Sequence, residues 1–142
     1  MAVIVVTRLR LRDPALLDEF FTDAVAVLEQ AQKAEGNLGV DALGDANNAW
    51  WTVSSWQDRR LMHAFVGNQP HRSIMGRLDH YCDEATFVDW EQDSPDLPDW
   101  PTSHRHLCRR RDGGGTHPPV GREPGPRLPA ARRDASHVSR GT

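Results

Sequence analysis

His71 is the side chain of this sequence best suited to moving a proton. It follows Pro70 in the stretch "FVGNQPHRSIMGRL", and the apolar residues Ile74 and Met75 continue from it at helical spacing. An imidazole titrates near neutral pH, so it can act as a base, a ligand or a proton relay. A histidine just inside a helix start can also bond a neighbouring carbonyl and serve only the structure. The sequence leaves both interpretations open.

Other familiar catalytic patterns are absent from the sequence. There is no G-x-G-x-x-G, no G-x-x-x-x-G-K-[ST] and no G-x-S-x-G, which disfavours nucleotide use and hydrolysis by a serine nucleophile. Cys82 and Cys108 lack metal-ligand spacing, and His104 and His106 lack the further ligands that a metal site needs. We therefore predict that the protein uses no metal and no tightly held cofactor.

The elements that must position His71 follow from the spacing of apolar residues and from helix-capping residues. The predicted elements are a strand at Val3–Leu11, a helix between Asp13 and Gly36, two strands joined at Asp45–Asn48, two short helices separated at 67–69, and a strand at 84–92. The order β-α-β-β-α-β is the ferredoxin-like arrangement, here with its second helical unit broken in two. We therefore predict an α+β fold in which a four-stranded antiparallel sheet carries helices on one face.

Composition divides the chain into three parts. Residues 1–95 form the predicted ferredoxin-like domain, and residues 96–107 form a proline-rich extension that we expect to pack on it through Leu97 and Trp100. Residues 108–142 hold eight arginines, six glycines and five prolines but no aromatic residue. Such a segment cannot bury enough apolar surface to offset the entropy of ordering it, so we predict a disordered basic tail.

The sheet face opposite the helices is predicted to carry large apolar groups, too many for a monomer to leave in water. We therefore predict a homodimer in which two sheets pack together as a dimeric α+β barrel. Arg8 and Arg10 lie on this face of the first strand. Buried arginines need carboxylates, and Asp89 and Glu91 are the partners that we expect for them.

Charge and hydropathy exclude two classes of partner. Residues 1–107 hold 9 Arg/Lys against 17 Asp/Glu, and the basic tail has no interleaved aromatic residues that could stack on bases. No run of eighteen apolar residues exists, and the apolar-then-basic start is the reverse of a secretory signal. We expect a cytoplasmic protein that binds neither nucleic acid nor membranes.

The stretches "VIVVTRLRL", "WWTVSSWQDRRLMHAFVGNQPHR" and "ATFVDWE" together resemble the dimeric α+β barrel superfamily. Within it, the tract "WQDRRLMHAF" followed by a loop, "PHR" and a helix is similar to the antibiotic-biosynthesis monooxygenase-like domains and to an uncharacterised bacterial branch of that superfamily. The resemblance covers about residues 2–95. It implies one pocket in each subunit, between the sheet and the helices.

The resemblance implies a cofactor-independent monooxygenase that acts on an apolar aromatic or polyketide-type molecule. Such enzymes use no flavin or metal, because the substrate itself reduces O₂ once a proton has been removed. His71 is then the expected proton acceptor, and Arg72 is the expected partner of the resulting anion. Because Trp50 and Trp51 are neighbours on a strand, one faces the helices and the other the dimer contact. The residues expected to bind the substrate are Thr7, Trp51, Trp56, Phe65, Met75 and Trp90.

Two other functions stay open. The domain could sequester a hydrophobic ligand or haem without catalysis, or the fold could serve only the interaction between two copies of a stress-type protein. Haem-degrading members of the superfamily hold iron with an asparagine on the first strand and a histidine in the broken helical unit. Those two places fall here on Thr7 and approximately on Met75, neither of which is a strong ligand of that type.

Overall fold

The computed structural model describes the backbone of residues 1–113 and the side chains of residues 1–109. Its elements, in chain order, are β1 (Ala2–Leu11), a 3-10 turn (Pro14–Leu16), α1 (Leu17–Lys33), β2 (Asn37–Gly44), β3 (Ala49–Trp56), α2 (Arg59–Gly67), α3 (His71–Met75), α4 (Leu78–Tyr81), β4 (Cys82–Gln92) and α5 (Trp100–Gly113). The four strands form one antiparallel sheet in the order β2-β3-β1-β4. This arrangement confirms the predicted α+β class and its four-stranded antiparallel sheet.

The helix starts follow the capping residues in the sequence. The side chain of Asp13 accepts a hydrogen bond from the backbone N–H of Ala15, and that of Asp58 accepts one from Leu61. The chain makes a short 3-10 turn before α1 begins at Leu17. The predicted helix after His71 is in fact two short helices, α3 and α4, separated at 76–77.

One face of the sheet packs against α1 and α2. It presents the odd-numbered residues of β1, of which Val3 lies in a cluster with Leu28 of α1 and with Met62 and Phe65 of α2. Thr7 sits at the centre of this face, opposite Thr52 on β3 and Phe87 on β4. Directly paired residues on neighbouring strands point to the same face, so these three side chains lie together.

The opposite face is covered by α5. Trp100 and Leu107 of α5 pack into one cluster with Ile4 and Val6 of β1, and Leu107 is completely buried. The expectation that this face stays open until a second subunit covers it is therefore wrong, because the chain buries the face itself. The homodimer stays a prediction, but an open sheet face no longer supports it.

The C-terminal helix does not end at residue 107, the predicted boundary between the extension and the basic tail. Helix α5 passes through that boundary and continues to Gly113. Leu97, just before α5, also packs on the sheet cluster, and its side chain lies beside Gly39 of β2. The rest of the predicted basic tail, residues 114–142, lies outside the described residues.

The two arginines of β1 have different partners from those expected. Arg8, with only 2 % of its surface exposed, pairs with Glu84 at 2.8 Å, and Arg10 pairs with Asp83 at 2.8 Å. Asp89 and Glu91 are paired across the strands with Val5 and Val3, so their side chains lie on the helix-bearing face of the sheet. Their partner there is Arg59 at the start of α2.

Candidate functional site

Two adjoining cavities lie between the sheet and helices α1 to α3. The Trp50 cavity, of about 150 Å³, reaches from the sheet centre to Trp50 and Phe20. The Trp56 cavity, of about 170 Å³, reaches the other way to Trp56 and Phe65. An apolar cavity of about 150 Å³ is large enough for a single benzene ring. The residues that border both cavities are Thr7, Val27, Leu28, Thr52, His71, Met75 and Phe87.

His71 heads α3 at the junction of the two cavities, and its ring is held in one orientation. Nδ1 lies 3.2 Å from the carbonyl oxygen of Val66, and the ring edge packs on Phe65 with centroids 4.8 Å apart. A carbonyl oxygen can only accept, so in the neutral ring Nδ1 carries the proton and Nε2 keeps its lone pair. Nε2 is therefore the nitrogen that can accept a proton.

The surroundings of His71 keep the ring neutral. Burial lowers its pKa below the ordinary value of 6.5, and the hydrogen bond to the Val66 carbonyl opposes this shift only in part. The shift is downward because the removal of a charged imidazolium from water is costly. Near pH 7 the imidazole is therefore in the form that accepts a proton.

Five of the six residues expected to bind a substrate border one or both cavities: Thr7, Trp51, Trp56, Phe65 and Met75. Trp56 stacks on Phe65 with ring centroids 4.8 Å apart, and its Nε1 donates to the hydroxyl of Ser54 at 2.9 Å. The indole N–H thus has its hydrogen-bond partner on the same strand, and the ring forms a flat apolar wall of the Trp56 cavity.

The structure places the indoles of Trp51 and Trp90 on the opposite, α5-bearing face. Trp51 borders the Trp50 cavity, but its Nε1 donates to Asp45 at 2.9 Å and its ring packs near His104 of α5. Trp90 stacks on His106. Alternation along β3 therefore gives the cavity wall to Trp50, which packs against the aromatic rings of α1.

Arg72 does not join the residues around His71. It is exposed and borders neither cavity. Neighbouring residues on a helix point about 100° apart, and α3 turns Ile74 and Met75 inward with His71. Arg72 therefore has no contact through which it could stabilise an anion inside the cavities.

Sequence reasoning missed Thr52 and Phe87, which border both cavities. Each is the direct cross-strand partner of Thr7, so a correct strand register would have found them. The hydroxyls of Thr7 and Thr52 are short polar groups in an otherwise apolar floor. Phe87, with 39 % of its surface exposed, stands where the cavities open to solvent.

Among the side chains of residues 1–109, the one carboxylate that borders either cavity is Asp23 of α1. It accepts hydrogen bonds from the hydroxyl of Tyr81 and from Arg77, the latter at 2.9 Å. Burial, followed by the hydrogen bond to Asp23, raises the pKa of Tyr81 to about 12. Tyr81 therefore stays protonated at physiological pH and keeps donating to this carboxylate, which ties α4 to α1 at the edge of the Trp50 cavity.

The site has no evident place for a metal or for haem. Within residues 1–113, no three His, Cys, Asp or Glu side chains lie close enough together to hold a metal ion. In the part of the chain whose side chains are described, no lysine or arginine borders either cavity, so these residues offer the two propionates of a haem no cationic partner there. Among the described helices, none has the length and apolar character needed to span a bilayer.

Comparisons with known proteins define the class of fold. No family model matches the sequence, and no curated protein matches it either. Solved structures do match: SnoaB from Streptomyces nogalater, described as a cofactor-independent oxygenase, has a TM-score of 0.57 at 13% identity over 69% of this chain and 98% of its own. A second match, described as an antibiotic biosynthesis monooxygenase, has a TM-score of 0.58 at 13% identity over 65% of this chain and 99% of its own.

A conserved protein from Methanosarcina mazei Go1 has a TM-score of 0.60 at 17% identity over 66% of this chain and 94% of its own. At such identities the similarity establishes the fold alone. The resemblance inferred from the sequence is confirmed at that level: the chain has the fold of the antibiotic-biosynthesis monooxygenase-like proteins.

Proposed function

We propose that this protein is a cofactor-independent, monooxygenase-like enzyme in which Nε2 of His71 removes a proton from an apolar aromatic molecule of polyketide type. The observation that carries the proposal is the state of His71. Its Nδ1 is committed to the Val66 carbonyl, its pKa is lowered by burial, and its ring borders both cavities. A neutral imidazole in an apolar cavity is suited to general-base catalysis.

The walls of the cavities support an aromatic ligand. Trp50 and Phe20 border one cavity, and the stacked pair Trp56 and Phe65 borders the other. Flat apolar walls favour flat apolar ligands, since each buried ring gains dispersion contacts and loses contact with water. Each cavity suits one ring, so a fused ring system would extend from one cavity into the other past His71.

In the proposed reaction, a substrate methylene beside an aryl ketone loses a proton to Nε2 of His71. The electron pair left on carbon is delocalised onto the ketone oxygen, for which the hydroxyls of Thr7 and Thr52 are the donors within the shared floor. The carbanion then reduces O₂ and combines with it to form a peroxide anion, which takes back the proton from Nε2 of His71. Loss of water turns the peroxide into a ketone, so that CH₂ and O₂ give C=O and H₂O.

The test is consumption of oxygen with anthrone as the probe substrate. We expect turnover by the full chain and a loss of about 10²-fold or more in the His71→Gln variant, the usual range for removal of a general base. His63→Gln is the matched control, because His63 lies exposed on α2 and borders neither cavity.

Other outcomes would identify the alternatives. Saturable quenching of tryptophan fluorescence by anthrone, without oxygen consumption, would mean a non-catalytic binding protein for hydrophobic ligands. A Soret band after addition of haem would favour haem binding. A lower melting temperature for His71→Gln with unchanged turnover would show that His71 serves only the structure.

A further inference from the structure

Gln30 of α1 is hydrogen-bonded to three backbone groups of the segment that carries His71. Its Oε1 accepts the backbone N–H of His71 at 2.8 Å. Its Nε2 donates to the carbonyl oxygens of Phe65 at 3.0 Å and Asn68 at 3.3 Å. One side chain from a different helix thus holds both sides of the loop between α2 and α3.

One of these bonds satisfies a group that α3 cannot satisfy itself, the backbone N–H of His71. The carbonyl oxygens of Phe65 and Asn68 each accept a backbone N–H as well, from Asn68 and from Arg72, so the bonds from Gln30 add a second donor to each. The first N–H groups of a helix and its last carbonyls have no partner within that helix. Helix α3 begins at His71 after Pro70, which makes no side-chain cap. Gln69 accepts the N–H of Ser73 at 3.2 Å, whereas the N–H of His71 is accepted by Gln30. Phe65 lies in the last turn of α2. Gln30 therefore caps the N–H of His71 and is a second partner for the end of α2.

Glutamine is the residue that these contacts require. Its amide presents an acceptor and two donors from the same end, whereas a glutamate offers only acceptors and a lysine only donors. The ring of His71 depends on the same loop, because Nδ1 is bonded to the carbonyl of Val66, which follows directly after Phe65. Gln30 thus anchors the backbone of His71 and also the backbone next to the acceptor that orients its ring.

We propose that Gln30 is the positioning residue of this site: by fixing the backbone of His71 and of residues 65–68, it keeps Nε2 directed into the cavities and the ring in the tautomer that can accept a proton. The proposal rests on the proposed function for its catalytic consequence, but not for its structural content. Gln30 acts through His71 and borders neither cavity itself. Displacement of a catalytic group by about 1 Å can cost about 100-fold in rate.

The first test is Gln30→Met in the full chain, which keeps the length of the side chain and removes its hydrogen bonds. The titration of each imidazole is followed by NMR, with the His71 signal assigned from its absence in His71→Gln. We expect the pKa of His71 to rise toward its ordinary value, because release of the loop exposes the imidazole to solvent. The control is Glu29→Gln, a change at an exposed neighbour on α1.

The second variant, Gln30→Glu, separates positioning from general loosening. It keeps an acceptor for the N–H of His71, loses the donor to the two carbonyls and places a carboxylate beside the ring, so the pKa of His71 is expected to rise further than in Gln30→Met. Phe65 of α2, whose ring contacts that of His71, and Thr7 and Thr52 of the sheet, which border the same cavities, are neutral. Asp23, the ionisable residue that shares the Trp50 cavity with His71, is unchanged in every variant.

With anthrone, we expect kcat to fall by about 10-fold to 100-fold in Gln30→Met while KM changes little, since the cavity walls are untouched. A folded Gln30→Met protein with an unchanged His71 titration and unchanged kcat would overturn the proposal. A shifted titration in a protein that never oxidises anthrone, even as wild type, would support the positioning role and refute the proposed function.

If Gln30→Met does not fold, hydrogen exchange of the wild-type chain tests whether Gln30 caps the backbone N–H of His71. The amide of His71 is expected to exchange slowly, because its N–H is donated to Gln30, whereas an uncapped amide in the first turn of a helix exchanges fast. Fast exchange at His71 would refute the cap.

Discussion

The ring of Trp90 on β4 lies parallel to the ring of His106 on α5, with centroids 3.6 Å apart and planes 6° apart. The pair joins the last strand of the sheet to the C-terminal helix. Together with the buried side chains of Trp100 and Leu107, it makes α5 part of the folded body. The face of the sheet that was predicted to pack against a second subunit is occupied by the chain's own helix.

Leu107→Ala should therefore lower the free energy of unfolding by about 3 kcal/mol, the usual cost of truncating a leucine in a closed core. Arg105→Ala, on the exposed side of α5, should change it by less than about 0.5 kcal/mol. Chemical denaturation of the full chain measures both. Equal stability of the two variants would mean that α5 is not docked in solution, and sedimentation would then be expected to show a dimer through the open sheet face.

Acidification should destabilise the protein through two half-buried histidines. Burial lowers the pKa of His71, and burial followed by the charges of Arg109 and Arg105 lowers that of His106. Each ring binds its proton more weakly folded than unfolded, so the unfolded chain takes up more protons as the pH falls from about 6.5. Stability is therefore full above that pH and is lost as the pH falls through the lowered folded values.

The free energy of unfolding, measured between about pH 7.5 and pH 5, should show this loss. Its slope should become smaller in His106→Gln and in His71→Gln, whereas His63→Gln should leave it unchanged. An identical slope in all four proteins would contradict the role of the two half-buried rings.

The pH profile of activity should report the protonation of His71. Because burial lowers the pKa of His71 below 6.5, kcat/KM for anthrone should be constant at neutral pH and fall only at more acidic pH, where the imidazole is protonated. A profile that rises steadily through pH 7 to 9 would assign the base to another group.

Arg8→Ala should be more damaging than Arg10→Ala. Arg8 is buried, pairs with Glu84 at 2.8 Å, approaches Asp45 at 4.0 Å and lies over the ring of Trp51. Its removal leaves the buried carboxylate of Asp45 without a cation and leaves Glu84 with only Arg10 at 3.8 Å, and loss of one partner from a buried ion pair typically costs about 3–5 kcal/mol.

The side chain of Arg10 is about one third exposed, and its pair with Asp83 should contribute at most about 1 kcal/mol. Thermal unfolding of the two variants gives the comparison. Equal losses of stability would show that the Arg8 pairs are effectively solvated.

Gly44→Ala should disturb the Trp50 cavity. A Cβ at Gly44 would lie 2.9 Å from Cζ3 of Trp50, closer than real contacts allow, and the packing of that indole against Phe20 and Phe21 leaves it little room to move. We expect weaker binding of anthrone and a loss of about 1–3 kcal/mol in stability, as in other overpacked sites.

Gly39→Ala on the same strand is the control, because its Cβ would meet Leu97 at an ordinary 3.5 Å. Fluorescence quenching by anthrone measures binding to both variants. Equal affinity in the two would show that the Trp50 cavity does not take the probe.

Local signals in the sequence determined the elements and their order. Alternation indicated the four strands, and the caps at Asp13 and Asp58 marked the starts of two helical segments, because each of these signals acts between residues only a few positions apart. The placement of His71 at the head of a short helix, after Pro70 and with Met75 on the same side, was also available from spacing alone.

Only the tertiary structure decided which face each residue serves. Alternation requires Trp50 and Trp51 to face opposite ways, but the register with β1 decides which of the two indoles packs against α1 and which lies on the face that α5 covers. Gln30 could not be linked to His71 from the sequence, since the two lie 41 positions apart and a glutamine on a helix carries no local signal. Long-range packing likewise placed α5 on the sheet, where the burial of Leu107 offsets the entropy of ordering the helix.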